Sequence, residues 1–356
     1  TYSPTGWTNG NVTVTLPTKS GFTTRYTTNG TAPTTSSTAY SNPFTVSSNC
    51  TITYIYTDGT NIGGAGTLNI GTIDKTSPTI STALKSTSSE IDNVSLSVGI
   101  TDVNSGLGRI EWYYGTTNNP TTLSGTTPVT TINGDTTGPT TEQIKTYKVT
   151  GLTVGKIYYF KIIAYDVAGN KIVSSVINAN TNPSEGDIVK VGGEQFFVLE
   201  WNNNSNTVNL ISKYNLNQEA TAQVNNNSGN NVFSSKSYWA NSFTSDPFNL
   251  NDFSGYTATD TLGKAKSYGK SKGAVSSRLL SYEEANVLKT KASSNTKVAK
   301  MLWGADAFGI FYWLGSANTA YDVWLVNGFS RSLDHAYYIG TYGVRPVITV
   351  LKSQIS

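Results

Sequence analysis

Short runs in which apolar and polar residues alternate fill the first part of the chain. Val12-Thr-Val-Thr-Leu16 and Thr51-Ile-Thr-Tyr-Ile-Tyr56 are two examples, and Asn29-Gly30 and Asp58-Gly59 punctuate the stretches between such runs. A period of two residues is that of a half-buried strand, and Asn-Gly and Asp-Gly pairs favour tight turns. Helical periodicity is missing from this stretch. The pattern therefore predicts a β-sandwich over residues 1–76.

The alternation continues in longer strands as far as residue 182. The clearest are Val94–Ile100, Arg109–Tyr114 and Tyr158–Tyr165, in which branched and aromatic residues recur at every second position. Such side chains pack well on a pleated surface. A second β-sandwich is predicted over residues 77–182.

The pattern changes over residues 183–356, where strands give way to helices. One helix is predicted near Thr257 to Gly269, with Gly269 or Gly273 as its stop. A second begins at Ser281, because Ser281 and Glu284 have the spacing of a capping box. A strand is expected next, leading into a tail rich in aromatic residues. The fold class is mostly β and multidomain, with two sandwiches followed by an α+β domain.

Composition narrows the function. The 356 residues include 21 Tyr and 13% charged side chains, and the net charge of +3 is too small to favour nucleic acid or a membrane surface. Cys50 is the single cysteine, so no intrachain disulfide forms. No run of about 18 apolar residues is present, so no membrane insertion is expected. We expect an extracellular location, with any anchor or export signal outside these residues.

Two resemblances support the sandwiches. The stretch Gly6–Val14 and the exit Ile73-Asp-Lys-Thr-Ser-Pro-Thr79 resemble the Ig-like repeats of bacterial cell-surface proteins. The run Thr146–Asn170 resembles the late strands of fibronectin type III domains, where Leu152 and Tyr158 would fill the corner positions. The resemblances imply an Ig-like and a fibronectin type III-like stalk.

The last domain carries a third resemblance. Ser277–Ala285, Phe311-Tyr-Trp-Leu-Gly-Ser316 and Gly343-Val-Arg-Pro-Val347 resemble the bacterial branch of the C-type lectin fold. Formylglycine-generating-enzyme-like proteins and the variable proteins of diversity-generating retroelements share that branch. The resemblance implies a C-type-lectin-like ligand-binding domain over residues 183–356.

The residues of the chain give little support for a catalytic site. Cys50 lies outside the last domain, so oxidation by reactive cysteines of the formylglycine-generating type is excluded. His335 is the single histidine, and its neighbour Asp334 points to the opposite face of a strand. We therefore predict that the protein is not an enzyme and needs no cofactor.

A metal site is not predicted either. Asp102-Val-Asn-Ser-Gly106 loosely resembles a calcium loop, but Tyr113 stands where the twelfth ligand, a glutamate, belongs. This segment and Asp166-Val-Ala-Gly-Asn170 are interpreted as turns closed by Asp side chains. Strong stimulation by calcium would contradict this expectation.

The aromatic tail is the predicted binding surface. Asn327-Gly328 favours a two-residue hairpin that pairs Val326 with Phe329 and Trp324 with Arg331. Arg345 is expected to be a buried anchor that pairs with an acidic side chain. Tyr, Ser, Asn and Arg are the residue types of antibody binding loops. The predicted contact residues are Ser316, Asn318, Tyr321, Asp322, Trp324, Ser330, Arg331, Ser332, Asp334, His335, Tyr337, Tyr338 and Tyr342.

The expected function is non-enzymatic binding at a bacterial cell surface or on a phage particle, with a protein or glycan on another cell or host as the partner. Resemblance to the retroelement-linked family implies that the polar and tyrosine positions of the tail are diversified. The alternative is a structural module in which the last domain packs on a neighbouring subunit of a pilus, fibre or cell-wall layer. Plain sandwich-edge packing of the tyrosines also fits a chain rich in tyrosine throughout.

Overall fold

The structure is a computed structural model that describes residues 1–129, 137–217, 221–223, 261–304, 311–317, 322–337 and 342–355. It divides into two compact units: Thr1–Leu152 with Lys156–Thr181, and Thr153–Gly155 with Asn182–Ser356. Strands outnumber helices in the described residues, so the protein is mostly β and multidomain. None of the described helices is long and apolar enough to cross a membrane.

The first unit begins with two facing sheets. The strands are β1 (Tyr2–Ser3), β2 (Val12–Val14), β3 (Thr23–Thr27), β4 (Thr38–Ala39), β5 (Phe44–Val46), β6 (Cys50–Thr57) and β7 (Ile62–Ile70). Their orders are β1-β2-β5 and β4-β3-β6-β7. Val12, Val14 and Ile52, the inward members of the predicted alternation, are fully buried between the sheets.

A second pair of sheets follows in the same unit. The strands are β8 (Thr79–Ser89), β9 (Asn93–Thr101), β10 (Leu107–Gly115), β11 (Thr122–Pro128), β12 (Gln143–Thr150), β13 (Ile157–Asp166), β14 (Lys171–Val173) and β15 (Ile177–Asn180). One sheet has the order β12-β9-β8, and the other has the order β11-β10-β13-β14, with β15 also pairing with β13. Trp112, Leu152 and Tyr158 lie in the core between them.

The second unit combines two sheets with helices. Its elements are β16 (Ile188–Val191), β17 (Glu194–Glu200), β18 (Thr207–Ser212), α1 (Thr261–Ser271), β19 (Ser276–Arg278), α2 (Tyr282–Ala292), α3 (Thr296–Trp303), β20 (Phe311–Ala317), β21 (Asp322–Asn327), β22 (Ser332–Tyr337) and β23 (Val347–Leu351). The larger sheet has the order β16-β17-β18-β23-β19, and the smaller sheet has the order β20-β21-β22.

The smaller sheet is packed on both of its faces. Trp313 and Leu325 enter one apolar cluster, which also contains residues of the larger sheet and α1. Tyr312 and Val326 enter a second cluster with α2 and α3. Because successive residues of a strand point to opposite faces, one short sheet serves both clusters. Trp313, Leu314, Val344 and Ile348 are all buried in these two clusters.

The helices agree with the sequence in part. Ser281 caps α2, with Glu284 N donating to Ser281 Oγ at 3.1 Å and Ser281 N donating to Glu284 Oε2 at 3.0 Å, so the predicted capping box is confirmed. The strand expected after α2 is wrong. That stretch forms α3, in which Val298, Met301 and Leu302 have helical spacing and are buried, and Asn295 caps its start.

The first predicted helix is described from Thr261 onward, as α1, and residues 257–260 of the prediction lie outside the described residues. Gly273, with a φ of 69°, lies just beyond its end, as a glycine stop does. Gly269 instead sits inside α1, where an added Cβ would clash with the Ser277 side chain of β19. The close approach of helix and strand therefore requires glycine at this position.

Arg345 is fully buried, as predicted, but its expected acidic partner is not observed among the described residues. Its Nε donates to Ser212 O at 2.6 Å and its Nη1 donates to Met301 O at 2.5 Å. The guanidinium carbon also lies 5.0 Å from the centre of the Tyr312 ring and 5.6 Å from that of Phe197. Burial lowers the pKa of Arg345 from its ordinary value.

The carbonyl of Met301 explains why no acid is needed there. It belongs to the last turn of α3, whose carbonyls lack helical partners and carry the negative end of the helix dipole. Arg345 thus contacts the end of β18, the end of α3 and the face of the smaller sheet that carries Tyr312.

Replacing Arg345 tests this role. Arg345→Ala removes both hydrogen bonds and leaves a cavity, so it should lower the free energy of unfolding by about 3–5 kcal/mol. Chemical denaturation of the full chain measures the change. Arg331→Ala, which removes an exposed arginine of the same unit, is the matched control and should stay within about 0.5 kcal/mol of the parent. Equal effects of the two variants would contradict an anchoring role for Arg345.

Candidate functional site

The hairpin formed by β21 and β22 carries most of the described candidate residues. Its register pairs Trp324 with His335, Val326 with Leu333 and Asn327 with Ser332. Four residues, 328–331, connect the strands. The two-residue turn, with Trp324 opposite Arg331, is therefore wrong.

Hydrogen bonds within the loop explain the longer connection. Asn327 Oδ1 accepts from Phe329 N at 3.2 Å and from Ser330 N at 3.0 Å, which closes an Asx turn. The left-handed position of the loop is Arg331, with a φ of 56°, whereas Gly328 has no positive φ. A two-residue type I′ turn needs positive φ at both of its central residues. The Asx turn thus displaces the predicted turn.

An aromatic group lies on one face of the hairpin. The rings of Trp324 and His335 are 5.6 Å apart and nearly perpendicular, and Trp324 lies 4.2 Å from the ring of Tyr282, the first residue of α2. Trp324 and Tyr282 are half-buried and His335 is exposed. The ring of His335 therefore faces solvent and packs on Trp324, which in turn packs on Tyr282.

A polar chain lies on the other face. Ser330 Oγ and Ser332 Oγ are 2.6 Å apart, and Ser332 Oγ donates to Asp334 Oδ1 at 2.8 Å. Asn327 Nδ2 donates to Asp334 Oδ2 at 2.8 Å. His335 and Asp334 pair with consecutive residues of β21, Trp324 and Leu325, and so point to opposite faces. The imidazole is directed away from this carboxylate.

The loop exposes a residue that the sequence analysis missed. Phe329 is 78% exposed and stands beside the exposed side chains of Ser330 and Arg331. The erroneous two-residue turn had placed Phe329 in a strand opposite Val326. Only the longer loop makes it part of the tip.

The remaining candidates divide into three groups. Tyr342 is half-buried, and its ring lies 4.9 Å from Trp313 in a perpendicular arrangement, which is a packing position. Ser316 lies in β20, and Asp322 and Tyr337 form the outermost pair of the hairpin register. Asn318, Tyr321 and Tyr338 lie outside the described residues. The structure thus places the other six candidates on one hairpin, with Trp324 and His335 on one face, Ser332 and Asp334 on the other, and Ser330 and Arg331 in the connecting loop.

A second group of candidate side chains lies in the first unit. Asp74, Asp102 and Asp166 are 2%, 4% and 1% exposed. One carboxylate oxygen from each lies within 4.8 Å of the others, close enough to ligate one metal ion. We call these residues the three-carboxylate cluster. Among the described residues, no Lys or Arg forms an ion pair with any of them.

Local turns hold each carboxylate in place. Asp102 Oδ1 accepts from Gly106 N at 2.7 Å, and Asp166 Oδ1 accepts from Asn170 N at 2.8 Å, so the two predicted Asp turns are confirmed. Asp74 accepts from Ser105 N at 3.0 Å and thereby joins the segment after β7 to the loop after β9. The sequence analysis treated the turns separately and missed that they share a site.

Burial and mutual repulsion change the pKa values. Burial raises the pKa of Asp166 to about 6, with a further increase from the charges of Asp102 and Asp74. Burial likewise raises the pKa of Asp102. Burial also acts to raise the pKa of Asp74, but hydrogen bonds from Thr76 and Ser105 outweigh it and lower that pKa. The cluster therefore favours a bound proton or another source of positive charge.

Comparison with known proteins covers the beginning of the chain. Residues 3–65 match the family model of the chitobiase/β-hexosaminidase C-terminal domain. This match supports an Ig-like β-sandwich in the first unit. A search of curated proteins found no match to the chain.

Stability of the first unit should depend on pH through Asp166. Its pKa is about 6 in the folded protein and about 3.9 in an unfolded chain, so the folded state binds the proton more tightly. The stabilisation is complete below about pH 4 and is lost as pH rises through about 6. Asp74, with a lowered pKa, titrates below this window. Unfolding midpoints measured across the window should fall, and Asp166→Asn should flatten the curve; an unchanged slope in that variant would contradict the assignment.

Calcium tests the prediction that no metal binds. That prediction requires the unfolding midpoint at pH 7 to be the same with and without added calcium. A midpoint that rises with calcium in the parent, but not in Asp166→Asn, would overturn it and assign the ion to the three-carboxylate cluster.

Asn327 should control the order of the hairpin tip. Asn327→Ala removes the acceptor for two loop amides, so the amides of Phe329 and Ser330 should exchange faster with solvent, at a cost of about 1 kcal/mol in stability. Hydrogen exchange of the full chain measures both. Asn286→Ala, on the exposed side of α2, is the control and should leave these amides unchanged.

Proposed function

We propose that the protein is a non-enzymatic binding protein of a bacterial cell surface or phage particle. The last domain is a C-type-lectin-like tip that contacts a protein or glycan, and the Ig-like and fibronectin type III-like sandwiches form its stalk. The observation that carries this proposal is the β21–β22 hairpin, whose loop exposes Phe329, Ser330 and Arg331 and whose strand β22 exposes His335.

These residue types suit recognition. An aromatic ring contributes a large contact area at a low entropic cost, and arginine adds directional hydrogen bonds. Aromatic residues, including phenylalanine, and arginine are both enriched in protein interfaces. Phe329, at 78% exposure, leaves apolar area in water that a partner would cover. The Asx turn and the Ser330–Asp334 chain fix the loop beforehand, which reduces the entropy lost on binding.

The hairpin is also suited to sequence change. Its backbone is held by strand pairing and by the core positions Leu325 and Val326, whereas Ser330, Arg331 and His335 point to solvent. Substitution at such exposed positions usually changes stability by less than about 0.5 kcal/mol. This supports a diversified face of the kind found in retroelement-linked variable proteins.

Assembly into a larger structure is the second candidate function. It is favoured by the sheet β11-β10-β13-β14, on which Leu123, Ile157 and Val173 are 50%, 56% and 50% exposed. The strand register places all three on the outward face of the sheet, where a neighbouring subunit could cover their apolar area. In this case the sandwiches are joining modules rather than a stalk.

One set of variants separates the two functions. The full chain is first screened on arrays of glycans and of cell-surface proteins. The triple variant Phe329→Ala, Arg331→Ala and His335→Ala should weaken binding to the array ligand at least tenfold, while Leu123→Ser with Val173→Ser should not. Loss of chain-to-chain assembly in the second variant, with array binding unaffected by the first, would favour the structural module.

The diversification proposal can be tested independently by examining the DNA beside the gene. A near-copy of the coding tail that differs only at template adenines should accompany a reverse transcriptase gene. The absence of both would remove the diversification claim without affecting the binding proposal.

A further inference from the structure

A groove on the second unit has an apolar floor and an acidic rim. It has a volume of about 400 Å³ and lies between the end of β17 and one side of α2. Leu199 and Leu288 form the floor with Val287, which is 55% exposed. Four glutamates and one lysine line the rest of it, together with Asn209.

Two of the four glutamates already have cationic partners. Lys291 Nζ lies 2.9 Å from both carboxylate oxygens of Glu185. Arg278 donates to both oxygens of Glu284, at 2.5 and 2.6 Å. Glu200 and Glu283 have no such partner among the described residues, and both are exposed. The groove therefore presents two uncompensated negative charges beside apolar surface.

Helix electrostatics accounts for only one of these charges. Glu283 lies in the first turn of α2, where the helix dipole stabilises a carboxylate. Glu200 is the last residue of the strand β17, so its carboxylate does not lie in the first turn of a helix and is not stabilised in this way. Both glutamates nevertheless line the same groove as Val287 and Leu288.

We propose that this groove binds a lysine side chain of a partner protein. A lysine lays an apolar stem of four methylene groups on hydrophobic surface while its ammonium stays at the polar rim. The floor of Leu199, Val287 and Leu288 accepts the stem, and Glu200 with Glu283 accepts the ammonium. Opposite charges of this kind steer association and set specificity.

The occupant is a lysine within a protein segment rather than a free amine. Three floor residues cover too little area for a small amine to offset the entropy lost on binding, whereas a segment adds contacts on both sides of its lysine. Tyr282, next to Glu283 on α2, lies against Trp324 of the hairpin. Tyr282 does not itself line the groove, so the groove binds its lysine whether or not the hairpin face binds a partner.

The test uses the full chain and a labelled, acetylated peptide amide of sequence Leu-Gly-Lys-Gly-Leu, followed by fluorescence anisotropy. The parent should bind the peptide, and the affinity should fall as NaCl is raised. Replacing the lysine by acetyl-lysine should abolish binding. Glu200→Gln with Glu283→Gln should weaken it at least tenfold, whereas Glu90→Gln with Glu142→Gln removes equal charge in the first unit and should change nothing.

Several results would overturn the proposal. One is that the acetyl-lysine peptide binds as tightly as the lysine peptide. Another is that the affinity for the lysine peptide is unchanged in Glu200→Gln with Glu283→Gln. A third is that n-butylamine binds as tightly as the lysine peptide, which would make the groove a small-amine site. Self-association of the parent that is lost in the same double variant would make a second copy the occupant. If the double variant loses its folded circular dichroism spectrum, Glu200→Gln alone, at an exposed strand end, carries the test. Loss of array binding in the hairpin variants with peptide binding intact would separate the two surfaces.

Discussion

The buried guanidinium of Arg345 is the constraint on which the second unit depends. A fully buried cation needs compensation, and here backbone carbonyls and aromatic rings supply it instead of a carboxylate. Met301 O lies in the last turn of α3, so the helix must end where Arg345 can reach it. Tyr312 must likewise present its ring from β20. One side chain thus fixes a helix, a strand of the larger sheet and the smaller sheet relative to one another.

Fixing the smaller sheet has consequences for the candidate binding surface. Because β20-β21-β22 is packed on both faces, its strands are held in place by the two apolar clusters. The loop after Asn327 is held by that residue, and it projects Phe329 and Arg331 away from the packed region. A well-packed base that carries an exposed loop is an arrangement suited to the display of binding residues. The proposed function follows from this combination rather than from any reactive group.

The fully buried charges among the described residues are compensated mainly by the backbone. Arg345 uses carbonyls, while Asp74, Asp102 and Asp166 accept from amides of their own or a neighbouring turn. The two solutions differ in outcome. Arg345 also packs on aromatic rings, whereas the three carboxylates repel one another, which raises the pKa of Asp166. The groove on α2 differs again, because Glu200 and Glu283 stay in solvent and remain available to a partner.

The sequence by itself determined those features that depend only on residues close together along the chain. The alternation that buries Val12 and Ile52, the capping box at Ser281 and the Asp102 and Asp166 turns all arise within one strand or turn. Tertiary structure decided the rest, including the meeting of Asp74 with the other two carboxylates, the pairing of Trp324 with His335 and the carbonyl partners of Arg345. Local patterns specify which residues turn or face inward, but not which distant segments they meet, because that choice depends on packing across the whole unit. The hairpin combines both contributions. The sequence pair Asn327-Gly328 located the turn, while the hydrogen bonds of the Asn327 side chain and the left-handed backbone of Arg331 set the length of the connection.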